Sequence, residues 1–307
     1  MAEPAAGAPQ ERRCGFVALI GAPNVGKSTL INALVGTKVT IVSHKAQTTR
    51  APLRGIATAG DAQLIFIDTP GIFHSRRRLD RAMVTAAWAG AHDADIVGVV
   101  VDAKRGIDDE TGSLLARLVD VRRPKLLILN KVDLVEKPAL LTLAQGANEQ
   151  VSFQETFMIS ALTGNGVGDL RHWLATHVPA GLWHYPEDQI TDAPLRQLAA
   201  EITREKLYLR LHQELPYQST VETDQWKELK DGSIRIEQTI YVERESQRKI
   251  VLGKGGQTIK AIGAEARRDI VAIVEHPVHL FLFVKVRGGW GDDPERYREM
   301  GLEFPKE

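Results

Sequence analysis

The stretch Gly21-Ala22-Pro23-Asn24-Val25-Gly26-Lys27-Ser28 decides how the rest of the 307-residue chain is read. Before it runs Phe16-Val17-Ala18-Leu19-Ile20, an unbroken apolar segment with the character of a buried strand. After it, Thr29-Leu30-Ile31-Asn32-Ala33-Leu34-Val35 reads as a helix stopped by Gly36. Strand, glycine loop and helix form the setting in which G-x-x-x-x-G-K-[ST] carries phosphate chemistry. The loop turns backbone N–H groups inward, and the helix N-terminus adds partial positive charge. Glycines at 21 and 26 allow close backbone approach to a phosphate. Lys27 reaches the outer phosphates and Ser28 ligates a magnesium ion. Ala22, Pro23, Asn24, Val25 and Thr29 complete the expected phosphate-contacting set.

At this length two domains are the default. Lys+Arg and Asp+Glu both total 39, so net charge names no partner, and any nucleic-acid site has to be a local patch. The single cysteine, Cys14, excludes an internal disulfide and a thiolate zinc cluster, and it argues for a reducing compartment. The histidines lack metal-ligand spacing. Residues 1–13 are rich in Ala, Pro and Gly and read as a disordered tail without a signal-peptide core. No apolar run approaches the length of a membrane span.

Downstream of the first helix, residues 37–52 are polar and irregular and contain Gln47-Thr48-Thr49-Arg50. Two strands are expected at 53–58 and 63–67, the second ending in Asp68-Thr69-Pro70-Gly71. Pro-Gly is a turn signal anywhere. Beside a phosphate loop it acquires chemistry: Asp68 holds the magnesium, through water, and the Gly71 N–H meets the terminal phosphate. Helices at 79–91 and 109–121 alternate with buried strands at 95–101 and 125–129. The alternation implies a mostly parallel sheet with helices on both faces and ligands gathered at the strands' carboxyl ends.

The strand at 125–129 ends in Asn130-Lys131-Val132-Asp133, and this turn selects the base. Guanine presents two donors on one edge, N1–H and the exocyclic amine, and the Asp133 carboxylate accepts both. Adenine lacks that amine and leaves the carboxylate opposed by a lone pair. Asn130 is expected to tie the turn to the phosphate loop or base, with the Lys131 stem stacked on the base. A last strand at 153–159 runs into Ser160-Ala161, where a backbone N–H is expected at the base oxygen. A helix at 167–177 closes the domain, taken as residues 14–180.

Residues 181–194 hold two turn clusters and read as a linker. The second domain, 195–290, is expected to run helix, two strands around Asp231-Gly232, helix, Gly253-Lys254-Gly255-Gly256, helix, strand, followed by a tail at 291–307. That order with a GXXG turn matches a prokaryotic-type KH module, an α+β fold whose glycines let a nucleic-acid backbone lie against the helix end. Residues 244–269 carry seven basic residues against three acids. Arg248, Lys249, Lys254 and Lys260 are the phosphate contacts expected beside the glycines.

These motifs together resemble the translation-factor-class GTPases, and the Era group in particular. The resemblance covers nearly the whole chain after Cys14. It rests on the phosphate loop, Gln47-Thr48-Thr49-Arg50, Tyr185-Pro186-Glu187-Asp188 and Glu214-Leu215-Pro216-Tyr217. It implies a GTP-hydrolysing α/β P-loop domain followed by a KH domain. It also implies GTP or GDP with Mg2+ as ligands, slow intrinsic turnover, and a first switch spanning Gln47, Thr48, Thr49, Arg50 and Ala51. Either Thr48 or Thr49 contacts the magnesium or the terminal phosphate. Thr49 is taken into the metal set with Ser28 and Asp68, and into the catalytic set with Lys27 and Gly71. Many GTPases carry a water-orienting glutamine where this chain has Ile72, which cannot orient water by hydrogen bonding. The resemblance implies another means, a potassium ion held near Asn24. The implied partners are the 3′ region of 16S rRNA and the 30S subunit during its assembly. The protein is expected to be a cytoplasmic monomer with peripheral inner-membrane association and no DNA partner. Two competing readings are an RNA chaperone whose GTP merely gates affinity, and an assembly GTPase whose KH-like domain binds protein.

Overall fold

The computed structural model of the protein describes residues 11–43, 49, 53–72, 78–211, 215–289, 293–299 and 302–305. The first part runs β1 (Arg13–Ile20), α1 (Lys27–Val35), β2 (Leu53–Ala59), β3 (Ala62–Asp68), α2 (Arg78–Asp93), β4 (Ile96–Asp102), α3 (Asp109–Leu118), β5 (Lys125–Asn130), α4 (Lys137–Gln150), β6 (Glu155–Met158) and α5 (Val167–His177). Its sheet has the order β2-β3-β1-β4-β5-β6, parallel except for the edge strand β2.

Strand β1 shows why this sheet needs cover on both faces. Val17 and Leu19 enter one apolar core, Ala18 and Ile20 the other, and all four are fully buried. Alternation with period two delivers each pair to its own face. Helices α1 and α5 close the first core through Leu30, Ile31, Leu34, Leu170 and Leu174. Helices α2, α3 and α4 close the second through Ala87, Ala91, Leu114, Leu115, Leu118 and Ala147. Each fully buried Leu or Ile contributes about 1.5–3 kcal/mol. The parallel strands all end on the side where the phosphate loop leaves β1, which places the motif turns on one rim.

The linker is stitched to this sheet. The Gln63 amide, fully buried, accepts from the N–H groups of His184 and Tyr185 and donates to the Tyr185 carbonyl at 2.8 Å. Ile56 N–H donates to Ile190 O at 2.8 Å, and Arg54 pairs with Asp192 at 3.1 Å.

The second part runs α6 (Leu195–Arg210), β7 (Ser219–Glu228), β8 (Ile234–Val242), α7 (Glu245–Leu252), α8 (Gln257–Val274) and β9 (Val278–Val286). Strand β8 lies between antiparallel β7 and parallel β9. Helices α6 and α8 cover one face of this sheet through Leu198, Ile202, Leu207, Ile262, Ala266 and Ile270. Leu195 and Leu209 of α6 are exposed, while Leu207 and Tyr208 are fully buried near its end. Gln238 breaks the apolar alternation of β8 yet is fully buried. It accepts from the Thr203 hydroxyl at 2.6 Å and donates to Thr223 at 3.2 Å, so its amide is satisfied.

Residues after β9 are not all tail. Helix α9 (Pro294–Glu299) returns to the first part, where Tyr297 and Leu302 are buried against Leu79, Ala82 and Met83 of α2. Helix α4 is also absent from the sequence expectations. It buries only Leu140 and Ala147 and exposes Leu141, so its apolar residues make no clear stripe.

Candidate functional site

A cavity of about 520 Å3 lies above the carboxyl ends of the parallel strands. Its walls include Pro23, Asn24, Gly26, Lys27, Ser28 and Thr29 of the phosphate loop, Ile41 to Ser43 and Thr49 from the segment after α1, and Thr69 and Gly71. Asp102, Arg105 and Lys131 close the far side. Gly26 caps α1 at φ 100°, and a Cβ there would stand 2.3 Å from Asn130 Nδ2, so no other residue fits this corner.

The expected metal residues converge. Asp68 Oδ2 accepts from Ser28 Oγ at 3.0 Å and from Thr49 Oγ1 at 2.9 Å, and the two hydroxyls are 3.2 Å apart. Asp68 is fully buried, and its Oδ1 has no hydrogen-bond partner among the described residues. A buried carboxylate with one orphaned oxygen beside two hydroxyls fits a hard cation such as Mg2+. Burial pushes the Asp68 carboxyl up to about 6, with nearby Lys27 opposing the shift. Burial likewise lowers Lys27 to about 8, with Asp68 opposing. The Lys27 ammonium donates to the carbonyls of Gly21 at 3.0 Å and Ala22 at 3.1 Å.

Behind this cluster, the second turn is tied to the first. Ile72 N–H donates to Gly21 O at 3.0 Å, and the Thr69 hydroxyl donates to Leu19 O at 2.6 Å. Pro70 lies between them in the same turn. Ile72 is buried with Ala18 and Ile20, so its side chain packs the core and is turned away from any water in the cavity. Gln47, Thr48, Arg50 and Ala51 lie outside the described residues.

Asn130 joins three turns. Its Nδ2 donates to Val25 O at 2.8 Å and its Oδ1 accepts from Ala161 N–H at 2.9 Å. Of the backbone N–H groups in the Ser160-Ala161 turn, that of Ala161 is thus engaged by Asn130, and Ser160 is buried behind it. Lys131 donates to Asn24 O at 2.7 Å and to Asp102 Oδ2 at 2.6 Å, which stretches its stem along the cavity wall. Val132 and Asp133 follow in a short 3-10 turn, and Asp133 is exposed, free to meet a base entering from solvent. Asp102 and Arg105 carried no signal in the sequence. Asp102 ends β4 and Arg105 lies in the turn after it, without a fixed spacing to the other motifs.

The second part presents its own groove. Helix α7 ends at Gly253, whose φ of 73° and ψ of 174° suit glycine alone. A Cβ there would stand 2.2 Å from the Thr258 hydroxyl. Gly255 and Gly256 continue the turn into α8. Lys249, Lys254 and Lys260 are exposed along this end. Arg248 differs from expectation: its guanidinium donates to Val284 O at 3.2 Å and pairs with Glu245 at 2.8 Å, so it supports α7 against β9. A cleft of about 340 Å3 runs on from the turn between α8 and β9, lined by Ile259, Lys260, Gly263, Arg267, Leu280 and Leu282. Arg267, Gly263 and the two leucines were not among the residues expected at this groove. Their only trace was the spacing of Lys260, Gly263 and Arg267 along one helix face.

The two parts touch beside the nucleotide cavity. Val42 N–H, in the cavity wall, donates to Glu205 Oε1 at 2.8 Å. Lys38 bridges Glu205 at 2.6 Å and Asp269 of α8 at 3.0 Å, and Lys206 pairs with both acids.

Comparison with known proteins adds independent findings. Residues 16–131 match the family described as 50S ribosome-binding GTPase, and residues 214–291 match the KH domain. The chain is 69% identical to GTPase Era of Afipia carboxidovorans over 295 residues, 96% of each chain. It is 67% identical to GTPase Era of Brucella suis, over 96% of this chain and 95% of that one. Among solved structures, it is similar to Era in complex with MgGDPNP and nucleotides 1506–1542 of 16S ribosomal RNA. The TM-score is 0.90 at 36% identity, covering 94% of this chain and 99% of that one. A variant of Aquifex aeolicus Era bound to GDP·AlF4− is similar with a TM-score of 0.89 at 36% identity, with the same coverage.

Proposed function

The chain belongs to the Era family of GTPases, and from that premise we propose that its nucleotide state sets its grip on the 3′ region of 16S rRNA during assembly of the 30S subunit. The broad family description names the large subunit, but the similar solved structure holds small-subunit RNA, which supports the small subunit as the partner.

In this reading the guanine base sits against Lys131 and is read by Asp133, while the phosphates lie on the loop from Gly21 to Thr29. Ser28, Thr49 and Asp68 hold the magnesium ion, which supplies positive charge to the phosphate oxygens when bound. Lys27 turns from the Gly21 and Ala22 carbonyls to the outer phosphates. The Gly71 N–H meets the terminal phosphate, and the buried Asp68 keeps its partners oriented. Ile72 is packed in the core, so water orientation falls to another group. A potassium ion near Asn24 is our proposal for it, and single-turnover hydrolysis at equal rates in potassium and sodium would remove that idea.

The observation that carries the coupling is the hydrogen bond from Val42 N–H to Glu205. It joins the cavity wall to α6, and Lys38 and Lys206 continue the link to Asp269 on α8. The opposite flank of α8 lines the cleft for RNA. Reordering of the first switch around a terminal phosphate therefore has a direct route to the groove.

The test is RNA affinity with a non-hydrolysable GTP analogue against GDP, using the 16S 3′ sequence. Tighter binding with the analogue is expected, and Glu205→Gln is expected to shrink the ratio. Equal binding in both nucleotide states would refute the coupling. The protein is placed by this reading in the cytoplasm as a monomer without a DNA partner. No described helix is long and apolar enough to cross a membrane, so any inner-membrane association is proposed to be peripheral.

A further inference from the structure

Three consecutive carbonyls of the phosphate loop are each held from outside. Val25 O accepts from Asn130 Nδ2 at 2.8 Å, Asn24 O from Lys131 Nζ at 2.7 Å, and Pro23 O from Arg105 Nη1 at 3.1 Å. In a planar trans peptide the C=O and N–H point in opposite directions. Fixing these carbonyls outward therefore turns the N–H groups of Gly26, Val25 and Asn24 the other way, toward the phosphate side. Asn130 and Lys131 belong to the base-reading turn. Arg105 belongs to no recognised motif.

Arg105 is itself anchored. Its Nη2 pairs with Asp108 and, at 3.3 Å, with Glu110. Its backbone N–H donates to Asp102 O at 3.1 Å. Asp108 also caps α3 by accepting from Thr111 N–H at 2.9 Å, and Asp102 holds Lys131. The segment from Asp102 to Glu110 thus secures two of the three outer contacts. With two carboxylates already engaged, the guanidinium is committed to its place beside Pro23. It acts on the phosphates through a peptide and not as a free cation. A cation on a carbonyl also polarises the peptide, which strengthens the N–H at its other end as a donor.

We infer that Arg105 is a positioning residue for GTP hydrolysis. Through the Pro23–Asn24 peptide it aims and strengthens the Asn24 N–H against the oxygens that gain charge as the terminal phosphoryl group departs. The inference rests on the nucleotide site proposed above. It adds a requirement for a charged donor at position 105. Loss of a donor aimed at developing charge slows chemistry more than it weakens ground-state binding.

The experiment uses the full chain with Arg105→Ala, Arg105→Gln and Arg105→Lys, each checked by thermal melting. Single-turnover GTP hydrolysis and GDP affinity are measured side by side. Arg105→Ala is expected to slow hydrolysis about tenfold while GDP affinity changes by less than about threefold. Arg105→Lys is expected to recover most of the rate and Arg105→Gln little of it. The 31P resonance of the β-phosphate of bound GDP is expected to move in Arg105→Ala and to return in Arg105→Lys. An unchanged rate and resonance in Arg105→Ala would overturn the inference. So would a rate loss matched by an equal loss of GDP affinity that lysine does not repair. A wild-type protein that failed to hydrolyse GTP would instead strike the nucleotide site itself.

Discussion

Asn130 holds Val25 at 2.8 Å across 105 residues of sequence, and the same side chain accepts from Ala161 at 2.9 Å. One amide thus supplies a donor and an acceptor to two buried backbone groups. Asn130→Ala strands both, at about 1–3 kcal/mol each. The expected outcome is a lower melting temperature and GDP affinity weakened by more than tenfold. Asn130→Asp keeps the acceptor for Ala161 but sets a carboxylate against the Val25 carbonyl, so it is expected to be no better. Calorimetric GDP titration of both variants decides this; retention of wild-type affinity in Asn130→Ala would remove the bridge from the binding energy.

Base choice is predicted to rest on Asp133. Asp133→Asn places an amide opposite guanine's donors and is expected to weaken GDP by about 2 kcal/mol, roughly thirtyfold. Xanthine carries a carbonyl in place of guanine's amine and should bind the variant better than the wild type. Competition between GDP and XDP gives the answer, and unchanged GDP affinity would place base recognition elsewhere.

The pH response follows from two buried charges of opposite sign. Asp68 is raised by burial to about 6. Stability from a raised carboxyl is present below its unfolded value and is lost as pH rises through about 6. Lys27 is lowered by burial to about 8, so its contribution is present above its unfolded value and lost as pH falls through about 8. Ligand-free protein is therefore expected to melt lowest between the two, near neutral pH. A metal at Asp68 has to displace a proton below about pH 6, so Mg2+ affinity in the GDP complex should fall there by up to about tenfold per pH unit. Magnesium titrations at pH 5.0 and 7.5 with equal affinities would contradict this assignment.

Lys254 is exposed in the turn before α8. Lys254→Ala is expected to weaken binding of different RNA sequences by a similar factor. It should also reduce the slope of log affinity against log salt by about 0.7, one phosphate contact on a single strand. An unaltered slope would mean that the lysine touches no phosphate.

The nucleotide rim was legible because each of its turns is contiguous. Gly21 to Ser28, Asp68 to Gly71 and Asn130 to Asp133 each carry their own spacing, and the flanking apolar runs announce their strands. What escaped is held by long-range geometry. Arg105 meets Pro23 across 82 positions, and Glu205 meets Val42 across 163, with no local pattern to mark either pair. Helix α4 escaped because only Leu140 and Ala147 are buried, and α9 because its anchor Tyr297 stands in a short polar segment. At Arg248, counted in sequence as available for phosphate, the structure adds what no pattern shows: the guanidinium also pairs with Glu245 and donates to Val284 O.

The return of α9 onto α2 adds a mooring at the far end of the RNA-binding half. Its entry strand of chain is fastened to β2 and β3 through Arg54, Ile56 and Gln63, and its exit is fastened through Tyr297. With the Lys38 and Val42 contacts to Glu205 and Asp269 these make three ties, and that half turns freely only if one of them lets go. Trimming or extending the carboxyl terminus should therefore alter how that half turns, far from any residue that touches RNA.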